Sequence, residues 1–204
     1  MSITKIVTLQ KRLHERGHIR IGQQVMSSNG KMRPAKLDRF RFTSRDSGAI
    51  DQVAQLYGGE ARKWDNNGST QFEVFSDATE LPVVIPTSMA FSQAFEQWAK
   101  GFCTHRCDGV RDTVRDVPCD CNPEATDCKI TTRLSVILPE VPGLGTWRIE
   151  SHGYYAAVEL GGALELIESQ VQKGVAAPLV CSWTTGKCVG SWTTSRRCSS
   201  SSSR

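Results

Sequence analysis

Apolar and polar positions divide the chain into short periodic segments. Residues 2–25 alternate in part (Ile3, Ile6, Leu9, then Ile19, Ile21, Val25), with Gly17 and Gly22 as punctuation. They predict short strands or an extended arm, with a helical turn near Leu9–Glu15. Met26–Pro34 is polar and predicts a loop. Leu37–Thr43 sets Leu37, Arg39 and Arg41 against Asp38, Phe40 and Phe42, which predicts a strand. Ile50, Val53, Ala54 and Tyr57 then recur at helical spacing, with Ser44 or Asp46 as cap and Gly58-Gly59 as stop. Ala61–Trp64, Gln71–Phe75 and Leu81–Ile85 read as strands, the first two joined by Asn-Asn-Gly at 66–68. Phe91, Phe95 and Trp98, four and three apart, predict a short amphipathic helix. Thr131–Leu138 and Trp147–Ser151 flank a Pro/Gly loop and predict a hairpin. Residues 153–172 predict a helix with Ala156, Leu160, Ala163, Leu164, Ile167 and Val171 on one face. Gly161-Gly162 weakens it by about 1 kcal/mol per glycine relative to alanine, and Gly174 ends it.

This order predicts an α+β fold: a mixed or antiparallel sheet, two or three helices, and an inserted cysteine-rich loop at 101–130. Residues 1–177 read as one domain opening on a basic arm, 1–36. Residues 178–204 read as a divergent tail, rich in Ser, Thr, Cys and Trp. Pro178–Trp183 and Val189–Thr194 either pair around Thr-Gly-Lys or form no regular structure, and Ser199–Ser203 reads as disordered.

The 204 residues carry a formal net charge of +4, distributed unevenly. Residues 1–45 hold eleven Lys/Arg and two acids, a net of +9; residues 46–168 hold nine basic and nineteen acidic groups, a net of −10. Residues 169–204 hold five basic and no acidic groups. A basic segment on an acidic body points to a polyanion or an acidic protein surface. Lys11, Arg12, Arg16, Arg20, Arg39 and Arg41 are the candidate contacts; a solvated basic face is the plainer alternative. No apolar run reaches the length of a membrane helix. The N-terminus has no apolar stretch followed by a small-residue cleavage site, so a secretory signal is not expected.

Five of the eight cysteines fall at Cys103, Cys107, Cys119, Cys121 and Cys128, a C-x3-C-x11-C-x-C-x6-C spacing. Without a secretory signal, a disulfide framework is disfavoured, and a metal site is the better reading. Zinc takes four tetrahedral donors and favours thiolates in structural sites. The segment has few apolar residues beyond Val110, Val114 and Val117, so a metal crosslink substitutes for a core. Arg106, Arg111 and Arg115 are placed to offset thiolate charge. Five cysteines exceed four ligands: one is spare, or His105 replaces one. Reduced, non-ligating cysteines and disulfides stay open as alternatives, and C-x-C is not the usual C-x2-C knuckle.

His14-Glu15-Arg16-Gly17-His18 matches H-E-x-x-H literally. A zinc hydrolase needs both imidazoles on one helical face. Here Gly17 interrupts the segment and the surroundings are extended and basic, so two exposed histidines are expected. His152 lacks a nucleophile at readable spacing. No P-loop, G-x-G-x-x-G or G-x-S-x-G appears, so no enzymatic activity is expected.

Several pieces carry a resemblance: the opening Ser-Ile-Thr-Lys-Ile; Phe40-Arg-Phe-Thr-Ser-Arg-Asp with Ala49-Ile; Tyr57-Gly-Gly; Leu81-Pro-Val; the cysteine cluster; Thr132-Arg-Leu-Ser-Val; Pro142-Gly-Leu-Gly-x-Trp-Arg-Ile-Glu-Ser; and His152-Gly-Tyr-Tyr-Ala-Ala. Over residues 1–177 the chain resembles the recombination directionality factors of Streptomyces temperate phages with large serine integrases, and related prophage copies in actinobacteria. The resemblance implies a cytoplasmic accessory protein of the bacterial host. It would bind the integrase on attachment-site DNA and switch it from integration to attL × attR excision. DNA contact would be indirect, and neither a membrane nor a small-molecule substrate is implied. Cys181–Arg204 departs from the alternating strands the family implies, and a reading-frame change near residue 178 is the expectation there. The rival reading is a zinc-containing nucleic-acid-binding protein of phage replication.

Overall fold

The computed structural model describes residues 14–66, 68–86, 90–121, 128–172, 179–184 and 187–192. Strand β1 (Glu15–Met26) turns back at Ser27–Lys31 into β2 (Met32–Ser44), and the two pair antiparallel. Helix α1 (Ser47–Tyr57) starts where Asp46 Oδ1 accepts the Gly48 N–H at 2.9 Å, satisfying an orphan donor of the first turn. Strands β3 (Arg62–Asn66), β4 (Ser69–Phe75) and β5 (Glu80–Val83) follow. Next come β6 (Phe91–Ala99), β7 (Phe102–Cys107), β8 (Arg111–Asp112) and β9 (Val117–Pro118). The hairpin β10 (Lys129–Val136) and β11 (Thr146–Ser151) precedes α2 (Tyr154–Gln172), β12 (Leu179–Thr184) and β13 (Lys187–Trp192).

Ten strands form one sheet in the order β3-β4-β2-β1-β11-β10-β6-β7-β8-β9. A second sheet has the order β13-β12-β5. The β1–β11 pair is parallel, so the large sheet is mixed. Gly17 stands opposite Trp147 there, and an added Cβ would lie 2.7 Å from the Trp147 ring. The strands can therefore approach only because position 17 has no side chain.

Alternation along each strand gives the large sheet two unlike faces. One carries Ile19, Phe40, Phe42, Val74, Leu134, Val136, Trp147 and Ile149, which join Ile50, Val53 and Tyr57 of α1 in the core. Phe42 stacks on Tyr57 at 5.9 Å and meets Trp147 edge-on at 5.6 Å between ring centroids. Leu160 and Leu164 of α2 border the same core. The other face is charged. Glu73 pairs with Arg41 and Arg62, and Glu150 pairs with Arg133. Glu96 is fully buried and takes two bonds from Arg133, at 2.6 and 2.7 Å, one from Arg106 at 2.7 Å and one from the Trp98 indole at 3.0 Å.

The predicted helix at 91–98 is instead strand β6, paired with β10 and β7. A spacing of four satisfies both helical and strand periods, so Phe91 and Phe95 share one sheet face equally well. Trp98 falls on the opposite face beside Glu96, and tertiary pairing overrides the local pattern. The cysteine-rich segment is likewise not a loop, since it contains β7, β8 and β9. The chain is accordingly mostly sheet, with two helices among the described residues, rather than a balanced α+β fold. β12 and β13 pair with each other, and β12 pairs with β5, so sheet structure continues past residue 177. Residues 1–13 and 193–204, including the helical turn, Cys198 and the serine run, lie outside the described residues.

The hydrogen bonds from Arg133 above all hold the Glu96 carboxyl down to about 2, against an ordinary value of 4.5. A depressed carboxylate contributes stability fully above its unfolded value and loses it as pH falls through the folded one. Urea unfolding followed from pH 5 to pH 2 will therefore show stability falling across this window. Glu96→Gln will flatten that fall. Glu96→Ala, which leaves Arg133 on Glu150 alone and frees Arg106 and the Trp98 indole, will cost about 2 kcal/mol at neutral pH.

Candidate metal centre

The cysteine-rich segment folds as a three-stranded edge. β7 pairs with β8 through Cys107 and Asp112, and β8 pairs with β9. Asp108 Oδ1 accepts the backbone N–H groups of Val110 and Arg111 at 2.8 and 2.9 Å, and Gly109 takes φ +96°. That side-chain turn bends the chain straight after Cys107. The Cys119 N–H donates to Val110 O at 2.8 Å, which returns the second cysteine pair over the first strand.

Four donors converge: His105 and Cys107 from β7, and Cys119 and Cys121 from just beyond β9. Their ligand atoms all lie within 4.8 Å of one another. Cys119 Sγ is 2.9 Å from Cys121 Sγ and 3.6 Å from His105 Nε2, and Cys107 Sγ is 3.5 Å from Cys121 Sγ. His105 and Cys107 are buried, while Cys119 and Cys121 are half-buried.

The contacts behind the donors fit a cation. His105 Nδ1 lies 2.8 Å from Asp112 Oδ2, a buried oxygen that otherwise has no hydrogen-bond donor. The proton therefore belongs on Nδ1, which leaves the Nε2 lone pair facing the sulfurs; this is the carboxylate–histidine arrangement typical of metal ligands. Burial pushes the Asp112 carboxyl up, but the N–H groups of Val114 and Arg115, with His105, hold it below its usual value. Arg115 stands 3.7 Å from the same carboxylate. Arg106 and Arg111 are engaged by Glu96 and Asp116 instead.

Thiol chemistry points the same way. Hydrogen bonds from Cys121 hold the Cys119 thiol down to about 7. Burial pushes Cys107 up to about 12, with Cys119 adding to the shift. The bond to Cys119 raises Cys121, and the charge of Cys128 adds to it. Three adjacent thiols cannot all ionise unaided, and a divalent cation at their centre would displace the remaining protons. Three sulfurs and one imidazole make a complete tetrahedral donor set, which leaves no open position for a reacting group.

Of the five candidate cysteines, the fold brings Cys107, Cys119 and Cys121 together, with His105 as the fourth donor. Cys103 lies on β7 and points its thiol at His105 O, 3.2 Å away. Cys128 sits just before β10, outside the four converging atoms. Sequence spacing does not reveal Asp112; only its pairing opposite Cys107 brings it to His105. The H-E-x-x-H residues begin strand β1, not a helix. His18 is half-buried rather than exposed, and its Nε2 accepts from Arg148 Nη2 at 2.6 Å. Burial, then Arg148 and Arg20, bring it down to about 4.

The basic contact set is split. Arg41 is buried on Glu73, so this conformation does not offer it to a partner. Arg16 reaches Pro142 O and Gln52, which tethers β1 to the β10–β11 connection. Arg39 is exposed and pairs with Asp38 and Asp77. Arg20 bonds Thr43 Oγ1 at 3.1 Å. Lys11 and Arg12 lie outside the described residues.

In the metal-free, reduced chain, alkylation by iodoacetamide will mark Cys119 before Cys107, its rate rising as pH passes about 7. Peptide mass mapping at several pH values reads the order, and equal labelling of the two would contradict the geometry.

No solved structure matches the chain. The family described as Gp3-like, recombination directionality factor-like, matches residues 16–185, a span running from β1 through β12. That match agrees with the resemblance carried by the motifs, and the chain belongs to the Gp3-like family of recombination directionality factor-like proteins.

Proposed function

We propose that this chain is a recombination directionality factor: it binds a phage large serine integrase on attachment-site DNA and turns it from integration to attL × attR excision. The family match over residues 16–185 carries this reading. Such a protein breaks no bond. It acts by binding one arrangement of the recombinase more tightly than another. Moving a two-state balance from 1:99 to 99:1 takes about 5.5 kcal/mol of differential affinity, within reach of one protein interface. Contact with DNA would be secondary, through phosphates held near the basic strands.

The metal of the Cys107, Cys119, Cys121 and His105 cluster is, on this reading, a structural zinc. Its role is to hold β7, β8 and β9, which offer exposed Phe102, Val110, Val114 and Val117 rather than a core. The cytoplasm of a bacterial host keeps thiols reduced and suits such a site.

Recombination of attL with attR, scored with the cognate integrase in the presence and absence of the chain, tests the function. Product will appear only when the chain is added, and attP × attB joining will fall. An integrase whose choice of sites is unchanged would refute the proposal, as would salt-sensitive binding to bare DNA with no effect on recombination. Purified chain will carry about one zinc. His105→Ala will lose it and expose the β7–β9 amides to hydrogen exchange, leaving the β1–β2 amides protected.

A further inference from the structure

The charged face of the large sheet holds a hollow of about 990 Å³ where β1 meets β11. His18, Arg20, Asn66, Gln71, Arg148 and His152 are among its lining residues. Most arginines of this face have a carboxylate partner. Arg41 and Arg62 have Glu73, Arg106 and Arg133 have Glu96, and Arg148 has Glu15. Half-buried Arg20 differs, because no carboxylate lies within ion-pair distance of it among the described residues. Its Nε donates to Thr43 Oγ1, and its guanidinium lies 5.5 Å from the Trp64 ring centroid. Its electrostatic neighbours are two cations, Arg41 and Arg148, and two more distant carboxylates, Glu150 and Glu73, neither of which is bonded to it. A partly buried cation with no bonded carboxylate, facing an open hollow, is set up for an anion from outside.

We infer that this hollow receives the carboxylate of an acidic side chain from a partner protein, with Arg20 as its anchor. The alternative anion, a nucleic-acid backbone, suits the site poorly. Glu15, Asp46 and Glu150 line the same hollow and would repel a run of phosphates more strongly than one carboxylate. A single planar carboxylate matches the edge of one guanidinium. The inference deepens the recombination reading, on which the identity of the partner rests; its binding test needs no recombinase.

The test is an NMR titration of the full chain with N-acetyl-glutamate N-methylamide, its glutamine isostere, and a short DNA duplex. The glutamate compound will shift the Arg20 Nε–H and Trp64 indole signals saturably. The glutamine compound will bind about tenfold more weakly or not at all, as expected for loss of a charge-assisted bond. Arg20→Gln will lose the response with its amide spectrum otherwise intact, and Arg20→Lys will keep part of it. Equal responses to glutamate and glutamine, no saturable response in the wild-type chain, or duplex DNA saturating the same signals at lower concentration would each overturn the inference. Because the wild-type comparison decides the matter, a variant that fails to fold does not rescue it. A negative result leaves the attL × attR assay untouched, and failure of that assay leaves the carboxylate site standing.

Discussion

The parallel pairing of β1 with β11 is the constraint on which the rest of the molecule depends. It joins a four-stranded group, β3-β4-β2-β1, to a six-stranded group ending in β9. Without it the ten-stranded sheet would split into two, each with a raw edge of unpaired backbone groups. The junction requires Gly17, because a Cβ there would lie 2.4 Å from Thr43 O of β2 and 2.7 Å from the Trp147 ring of β11. Arg16 reinforces the seam from the side by binding Pro142 O and Gln52. The partners are more than a hundred residues apart in the chain, so closing them is entropically expensive and must be repaid by packing. Trp147, Phe42 and Tyr57 supply that packing on one face.

The same seam creates the opposite face. Side chains at even positions of β1 and β11, His18, Arg20, Arg148 and Glu150, stand together because odd ones fill the core. The result is a polar surface in which most charges are neutralised by a neighbour and a few are not.

The Cys/His edge solves a different problem. β8 and β9 are two residues each and carry almost no buried apolar area. Side-chain turns at Asp108 and Asp112 shape the backbone, and the four donors tie its ends together. Asp112 serves twice: Oδ1 accepts the Val114 N–H, and Oδ2 lies against the imidazole. A buried polar group in both roles links turn geometry to ligand geometry, so changing either disturbs the other.

Local patterns were enough to locate α1 with its Asp46 cap, the β3–β4 and β10–β11 hairpins, α2, and the cysteine cluster, because each depends on neighbours a few residues away. The family was legible too, since its motifs are short runs of residues. What the sequence could not determine turns on partners far along the chain. Residues 91–99 satisfy helix and strand periods alike until β10 and β7 flank them. Five cysteines and one histidine are chemically plausible ligands, and only the return of the chain beyond β9 decides that His105 joins three of them. Arg20 and Arg41 look equivalent as letters. Tertiary packing places a carboxylate against one and leaves the other facing a hollow, because charge pairing across a sheet is set by register, which no local pattern encodes.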